Sequence, residues 1–342
     1  MTPDVWTIAN ALPLVWAAIA AVGVFMYVLM DGFDLGVGIL FPWARSEEDR
    51  DLMMNSVAPI WDGNETWLVL GGVVLLAVFP VAFSIILPAL YLPLTFMVMA
   101  LIFRGVAFEF RFKAHTSKWL WTVAFSGGSL LATFFQGVVL GTFVQGFPVS
   151  GTQYAGGPFL WVSPFALMTG VALVFGYGLI GAGWLVMKTE GALQAWARSA
   201  MARLLLGVLF FMGVVSLWVP FLDDAISQRW FAWPNLAWFA PVPILVLLFA
   251  WRLWLALQRG ADYAPFLYTL GLFVLGYSGL AISLWPKVVP PNLTIWDVAS
   301  PASSQLFLLV GVAFLIPLIL VYTTYSYWVF RGKVKAGEGY DH

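Results

Sequence analysis

Long apolar runs separated by short charged connections dominate this chain, and the runs show no period-two alternation. Stretches such as 68–79 and 244–250 are continuously hydrophobic, unlike the alternating segments of a membrane β-barrel. About 20 apolar residues cross a bilayer as a helix, and backbone groups in lipid must be satisfied internally. The pattern predicts about nine spans, at 14–41, 56–79, 82–112, 119–147, 159–187, 195–221, 237–258, 265–284 and 304–330. The expected fold class is an all-α integral membrane protein, one membrane domain over 1–342 with a cytoplasmic tail at 332–342. The tail stretch Gly337-Glu338-Gly339 is expected to fray.

Orientation follows the cations. Alternate connections hold Arg45 and Arg50; Arg111, Lys113 and Lys118; Lys188 and Arg198; and Arg252 and Arg259, while the tail adds Arg331, Lys333 and Lys335. With Arg104 and Arg203 near the same helix ends, fourteen of sixteen cations share one side, leaving Arg229 and Lys287 on the other. An odd number of spans then puts the N-terminus outside and the C-terminus in the cytoplasm. Trp6, Trp16, Trp161, Trp230, Trp233 and Trp296 fall near outer ends, and Trp43, Trp119, Trp196, Trp254 and Trp328 near inner ends. All are read as headgroup anchors.

Composition sharpens this picture. The 342 residues are 62% hydrophobic and 10% charged, against about 25% charged in soluble domains. A net charge of −1 gives no electrostatic case for nucleic acid. No cysteine is present, which removes disulfides, thiolate zinc and iron–sulfur clusters. Acidic Asp4 and the absence of a basic residue before the first apolar run argue for a retained span rather than a cleaved signal peptide.

Loop charges need no special account, so the informative residues are polar groups sunk within spans. Asp31 and Asp34 lie in the first span, roughly 15 and 10 Å from its cytoplasmic end at the helical rise. Asp62 and Glu65 lie in the second, within Trp61-Asp62-Gly63-Asn64-Glu65-Thr66-Trp67. Spacing i, i+3 puts each pair on one helix face. The third span adds Arg104 and Glu109. Five acids and one cation are thus expected to converge in the cytoplasmic half of three consecutive helices, with Asn64, Trp61 and Trp67 beside them. Buried carboxylates crowded together cannot all ionise, so the set could pass protons inward. The alternative is that the acids only hydrogen-bond neighbouring helices, with Arg104 as a neutralising partner and Gly32 and Gly36 permitting close packing.

Other features are set aside. Gly176-Tyr177-Gly178-Leu179-Ile180-Gly181 matches a dinucleotide motif but has no preceding strand, so it reads as packing. Asn292-Leu293-Thr294 is a weak glycosylation pattern. Pro88, Pro93, Pro243 and Pro317 are expected to bend helices. Haem iron in membrane oxidases takes strong axial ligands, usually His and sometimes Met, and a lone Met in a span reads as packing. His115 falls in a loop and His342 at the end, so no metal is expected to be ligated by this chain.

These pieces resemble subunit II of the cytochrome bd family of quinol oxidases, on its cyanide-insensitive branch. The resemblance runs through Asp31-Gly32-Phe33-Asp34-Leu35-Gly36-Val37-Gly38, Asn55 to Glu65, Phe103 to Arg111, Leu293-Thr294-Ile295-Trp296-Asp297 and Ser303-Ser304-Gln305. It implies two four-helix bundles plus one peripheral helix, in a bacterial inner membrane. It also implies quinol oxidation at the outer face and oxygen reduction to water, with haem b and haem d held by subunit I in a heterodimer. A small accessory subunit, membrane lipid, and a quinone lodged in this chain as a structural ligand complete the implied partners. By matching motif, Asp31 and Asp62 correspond to the family's proton-path acids and Glu109 to its acidic position in the third span, while Glu65 stands where some relatives have Gln. Asp62→Asn is therefore expected to cut oxygen reduction severely while sparing the haem spectra. A proton-coupled transporter and a purely structural partner subunit remain as rival readings. The transporter lacks the internal repeat its class requires.

Overall fold

The first apolar run becomes α1 (Ile8–Leu40), opened by Thr7, whose hydroxyl accepts from the Asn10 amide, and closed by a 3-10 turn at Phe41–Trp43. The computed structural model describes residues 7–335. Asp4, Trp6, His342 and Gly337-Glu338-Gly339 lie outside the described residues. After α1 come α2 (Glu47–Asn55), α3 (Trp61–Val78), α4 (Pro80–Ala89), α5 (Tyr91–Lys113), α6 (Lys118–Gln145), α7 (Pro164–Lys188) and α8 (Gly191–Trp218). Two short helices, α9 (Asp224–Phe231) and α10 (Asn235–Phe239), lead to α11 (Pro241–Gln258), α12 (Ala264–Leu284) and α13 (Ala302–Val329). Among the described residues, eight helical stretches are long and apolar enough to cross a membrane. The span expected at 56–79 forms α3, whose 18 residues reach about 27 Å and whose first two turns carry Asp62, Asn64 and Glu65.

Two four-helix groups emerge from the packing. α1 lies against α3 and α6, with α5 on α6; α7 lies against α8 and α12, with α11 on α12. α1 also crosses α7, and α6 packs along α7, joining the groups. α13 is peripheral, touching α1 and α3 while its apolar surface faces outward. The antiparallel hairpins β1 (Val149–Ser150) with β2 (Gln153–Tyr154), and β3 (Lys287–Val289) with β4 (Leu293–Thr294), cap the end opposite the cations.

The α1–α7 crossing explains the glycine motif. A Cβ at Gly36 would sit 1.9 Å from the Tyr177 carbonyl oxygen, and one at Gly181 would sit 2.4 Å from the Gly36 carbonyl carbon. Backbone meets backbone there, as the packing reading of Gly176–Gly181 requires.

Three expectations need correction. The run at 82–112 is not one helix. It follows a break at Phe79, which precedes Pro80 and is steered out of the helical region. The chain breaks again at Leu90, where Pro93 lacks the amide that would bond the Ala89 carbonyl. Pro93 and Pro243 both fall in the first turn of a helix, where a missing N–H costs little, so they start helices rather than bend them. Trp16 is no headgroup anchor: it is fully buried and its indole N–H donates to the Gln305 carbonyl.

Arg111, read from sequence as a loop cation, is also fully buried. Its guanidinium bonds Asp51 at 2.5 Å, Glu47 at 2.9 Å and the Thr122 hydroxyl at 3.0 Å, and lies 5.0 Å over the Phe41 ring. Lys118 reinforces both acids. Partial burial works against the charge of Glu47, but hydrogen bonds from Arg50 and Lys118 and the charge of Arg111 outweigh it. The carboxyl is held below the usual carboxylate range. This network fastens α2 to α5 and α6 at the cationic end. Arg111→Met should cost about 1–3 kcal/mol, since both acids can turn to water but the buried contacts vanish. A shortened thermal half-life of the solubilised protein would register it.

Candidate functional site

Asp31 and Asp34 stand one turn apart on α1, and both reach Arg104 on α5. The Arg104 Nη1 lies 3.3 Å from Asp31 Oδ1 and 2.7 Å from Glu65 Oε1, and Nη2 lies 4.0 Å from Asp34 Oδ2. Asp31, Asp34 and Arg104 are fully buried, and Glu65 is about a quarter exposed. Full ionisation would leave two uncompensated charges among these four groups. Such burial costs several kcal/mol per ion, so a proton held among the three carboxyls is the direct relief. Arg104 also lies beside an aromatic pair, 5.9 Å from Trp61 and 5.5 Å from Phe108, which stack on each other at 4.8 Å.

Asn64 links this cluster to the surface. Its Nδ2 donates to Asp34 Oδ2 at 2.6 Å and to the Met30 carbonyl at 3.3 Å, while its Oδ1 accepts from the Tyr327 hydroxyl at 2.9 Å. Asn64 and Tyr327 form the inner wall of a pocket of about 270 Å³ that opens at the cationic end. Asp62, Glu109 and Lys113 line its mouth. Polar groups therefore run from an exposed pocket, through Asn64, to Asp34, Arg104 and Asp31.

The convergence expected from the sequence is thus partial. Asp31, Asp34, Glu65 and Arg104 meet, but Asp62 is exposed at the pocket and Glu109 pairs with Lys113 at 3.6 Å. Neighbours at i, i+3 diverge by about 60° around a helix, enough for Glu65 to turn inward while Asp62 turns to the pocket. Trp61 belongs to the site; Trp67 is buried in a separate apolar cluster with Trp16 and Val74.

Beyond Asp31, on the side away from the pocket, two tyrosines stand close to its carboxyl. Tyr27 is one turn earlier on α1, and the ring of Tyr177 on α7 lies against Gly32, 2.9 Å from where a Cβ would be. Gln136 on α6 donates to the Tyr177 hydroxyl at 2.8 Å. The Asp31 carboxyl has Arg104 as its charged partner, and the Tyr27 hydroxyl faces that same carboxyl. The chemistry open to this arrangement is proton holding and transfer. Tyr327, Tyr177, Tyr27 and Gln136 were missed in the sequence because aromatic and amide residues in apolar runs look like packing; only their appearance beside Asp31 and Asp34 marks them.

Comparisons with known proteins agree over nearly the whole chain. The family described as cytochrome bd terminal oxidase subunit II matches residues 12–330. The cytochrome bd-I ubiquinol oxidase subunit 2 of Escherichia coli (strain K12) is 28% identical, covering 95% of this chain and 96% of the relative. The cytochrome bd ubiquinol oxidase subunit 2 of Bacillus subtilis (strain 168) is also 28% identical, covering 94% and 97%. In fold, the chain is similar to a solved bd oxidase structure from Geobacillus thermodenitrificans, with a TM-score of 0.76 at 20% identity over 94% of this chain and 99% of that one.

Proposed function

The chain belongs to the cytochrome bd terminal oxidase subunit II family, and from that premise we propose that its buried carboxyls carry protons from the cytoplasm toward haems held by its partner. It is a subunit of a quinol oxidase, a multi-pass protein of the bacterial inner membrane. The overall reaction proposed is oxidation of two quinols with reduction of one oxygen molecule to two waters. Haem b and haem d in subunit I supply the electron transfer and oxygen chemistry. His115 is exposed in the α5–α6 connection, outside the membrane-spanning helices. A small accessory subunit, surrounding lipid, and a structural quinone in this chain belong to the same proposal. So does an N-terminus outside and a C-terminus in the cytoplasm, supported by the fourteen cations on one side.

The observation that carries the reading is the hydrogen-bonded bridge from the open pocket through Asn64 to Asp34. Asp62 and Glu109 at the mouth attract protons to it. Asp34, Asp31 and Glu65 share Arg104, so the guanidinium can lean toward whichever carboxyl is ionised while another holds a proton. Making water then consumes protons drawn from the cytoplasmic side, while quinol oxidation releases protons outside. Each charge moved in this way works against about 2.3 kcal/mol per 100 mV, and a route closed toward the outer face preserves that work.

Asp62→Asn tests the mouth of the route. Because Asp62 is exposed, pocket water can bypass it, and turnover should fall about tenfold, less than the loss of about 100-fold or more typical of a removed proton-transfer group. The measurement is oxygen consumption per haem in the purified complex. Unchanged turnover would remove Asp62 from the route, and haem loss at normal turnover per haem would favour a purely structural subunit.

A further inference from the structure

α13 is apolar on nearly every face, yet one stripe of its inner end is not. Tyr322, Thr323, Ser326 and Tyr327 recur at helical spacing and line the pocket. The foot of the helix is tied down just beyond them. Lys188 Nζ donates to the Phe330 carbonyl at 2.6 Å, the Val334 amide donates to the Lys188 carbonyl at 2.8 Å, and Lys333 pairs with Asp262 at 2.7 Å. Asp262 also holds Arg198 at 2.6 Å. The hydrogen bond from Lys333, together with its charge and that of Arg198, outweighs partial burial and keeps the Asp262 carboxyl below the usual carboxylate range. The ring of Tyr327 stands edge-on to Trp184 at 6.2 Å and to Phe33 at 6.4 Å. A helix with little other purchase on the bundle is therefore fixed where the Tyr327 hydroxyl meets Asn64.

That hydroxyl is a partner the Asn64 amide can keep in either orientation. As bonded, Nδ2 serves two acceptors, Asp34 Oδ2 and the Met30 carbonyl, while Oδ1 takes the Tyr327 proton. Turned over, Oδ1 would face those same two oxygens, a tolerable arrangement only when Asp34 carries a proton to donate. The phenol hydroxyl can donate to Oδ1 or accept from Nδ2, so it supports either orientation. Phenylalanine would support neither. A carboxamide does not titrate, so a proton from the pocket reaches Asp34 only by passing this amide, when its reorientation opens the way.

We infer that Tyr327 is a positioning residue of the proton route: through its hydroxyl it holds and turns the Asn64 amide that separates the pocket from Asp34. The inference rests on the proposed proton function of the cluster. It assigns the peripheral helix a part in turnover beyond covering the bundle.

The test uses the complete oxidase complex carrying Tyr327→Phe, with Asp34→Asn and Thr324→Val made in parallel. Thr324 is on the outward face of α13, bonded to its own helix at the Leu320 carbonyl, and reports any general effect of disturbing that helix. Expected for Tyr327→Phe is a fall in kcat of about fivefold per haem, with kcat/KM for quinol unchanged. Proton delivery follows quinol oxidation, so slowing it lowers kcat and KM together. Thr324→Val should match wild type. Wild-type kcat in Tyr327→Phe, or a drop in kcat/KM for quinol, would overturn the inference. If Asp34→Asn turns over normally, the underlying proton reading fails; if only Tyr327→Phe is silent, the positioning role alone fails.

Discussion

Replacing Asp34 with Asn should yield a haem-loaded complex that reduces oxygen about 100-fold more slowly than wild type, the loss typical of a removed proton-transfer group. The substitution keeps size and shape. The new side-chain oxygen can still accept from Asn64 Nδ2, now at 2.6 Å from Asp34 Oδ2, and Arg104 keeps Asp31 and Glu65 as partners. What disappears is a site that can gain and lose a proton between the pocket and Asp31. Unlike Asp62, Asp34 is fully buried, so bulk water offers no way round it. Oxygen consumption per haem, with the haem difference spectrum as assembly control, measures the effect. A variant of normal turnover would make the cluster a packing device.

Gly36→Ala should abolish accumulation of the assembled complex. The added carbon would lie 1.9 Å from the Tyr177 carbonyl oxygen and 2.9 Å from the Gly181 Cα. Neither neighbour is a side chain that can swing aside, so α1 and α7 must separate at the contact that joins the two helix groups. Overpacking of this kind costs about 3 kcal/mol or more. It would also pull the Tyr177 ring from Gly32, beside Asp31. Gly72→Ala is the contrast, because a Cβ there meets nothing within 4 Å. Haem-bearing complex per membrane protein should drop below a tenth of wild type for Gly36→Ala and hold for Gly72→Ala.

Much of the architecture was legible because lipid imposes a strong code: apolar runs, cations gathered at alternate connections, and acids conspicuous wherever they interrupt a span. Asp31, Asp34 and Arg104 stood out for that reason, and the structure brings them together. Local spacing carried less. It paired Asp62 with Glu65 on one face, whereas the two residues point to different surroundings on a helix end that is half pocket and half protein. Contacts between distant elements were not legible at all. Tyr327 and Asn64 are separated by 263 positions, and a tyrosine near a span end reads as an interfacial anchor. Arg111 likewise reads as a loop cation, because nothing in its neighbourhood announces that α2 folds back to cover it. The break at Leu90 was hidden by uniform hydrophobicity, though Pro88 and Pro93 on either side supply its cause.

The central claim is that this chain admits cytoplasmic protons through Asp34. The direct measurement is a single turnover with oxygen of the fully reduced complex in vesicles, while a pH indicator reports on the face bearing Lys113 and Lys333. Wild type should take up protons from that face in step with oxygen reduction, and Asp34→Asn should lose the uptake while its haems still bind oxygen. Proton uptake by Asp34→Asn at the wild-type rate would contradict the account.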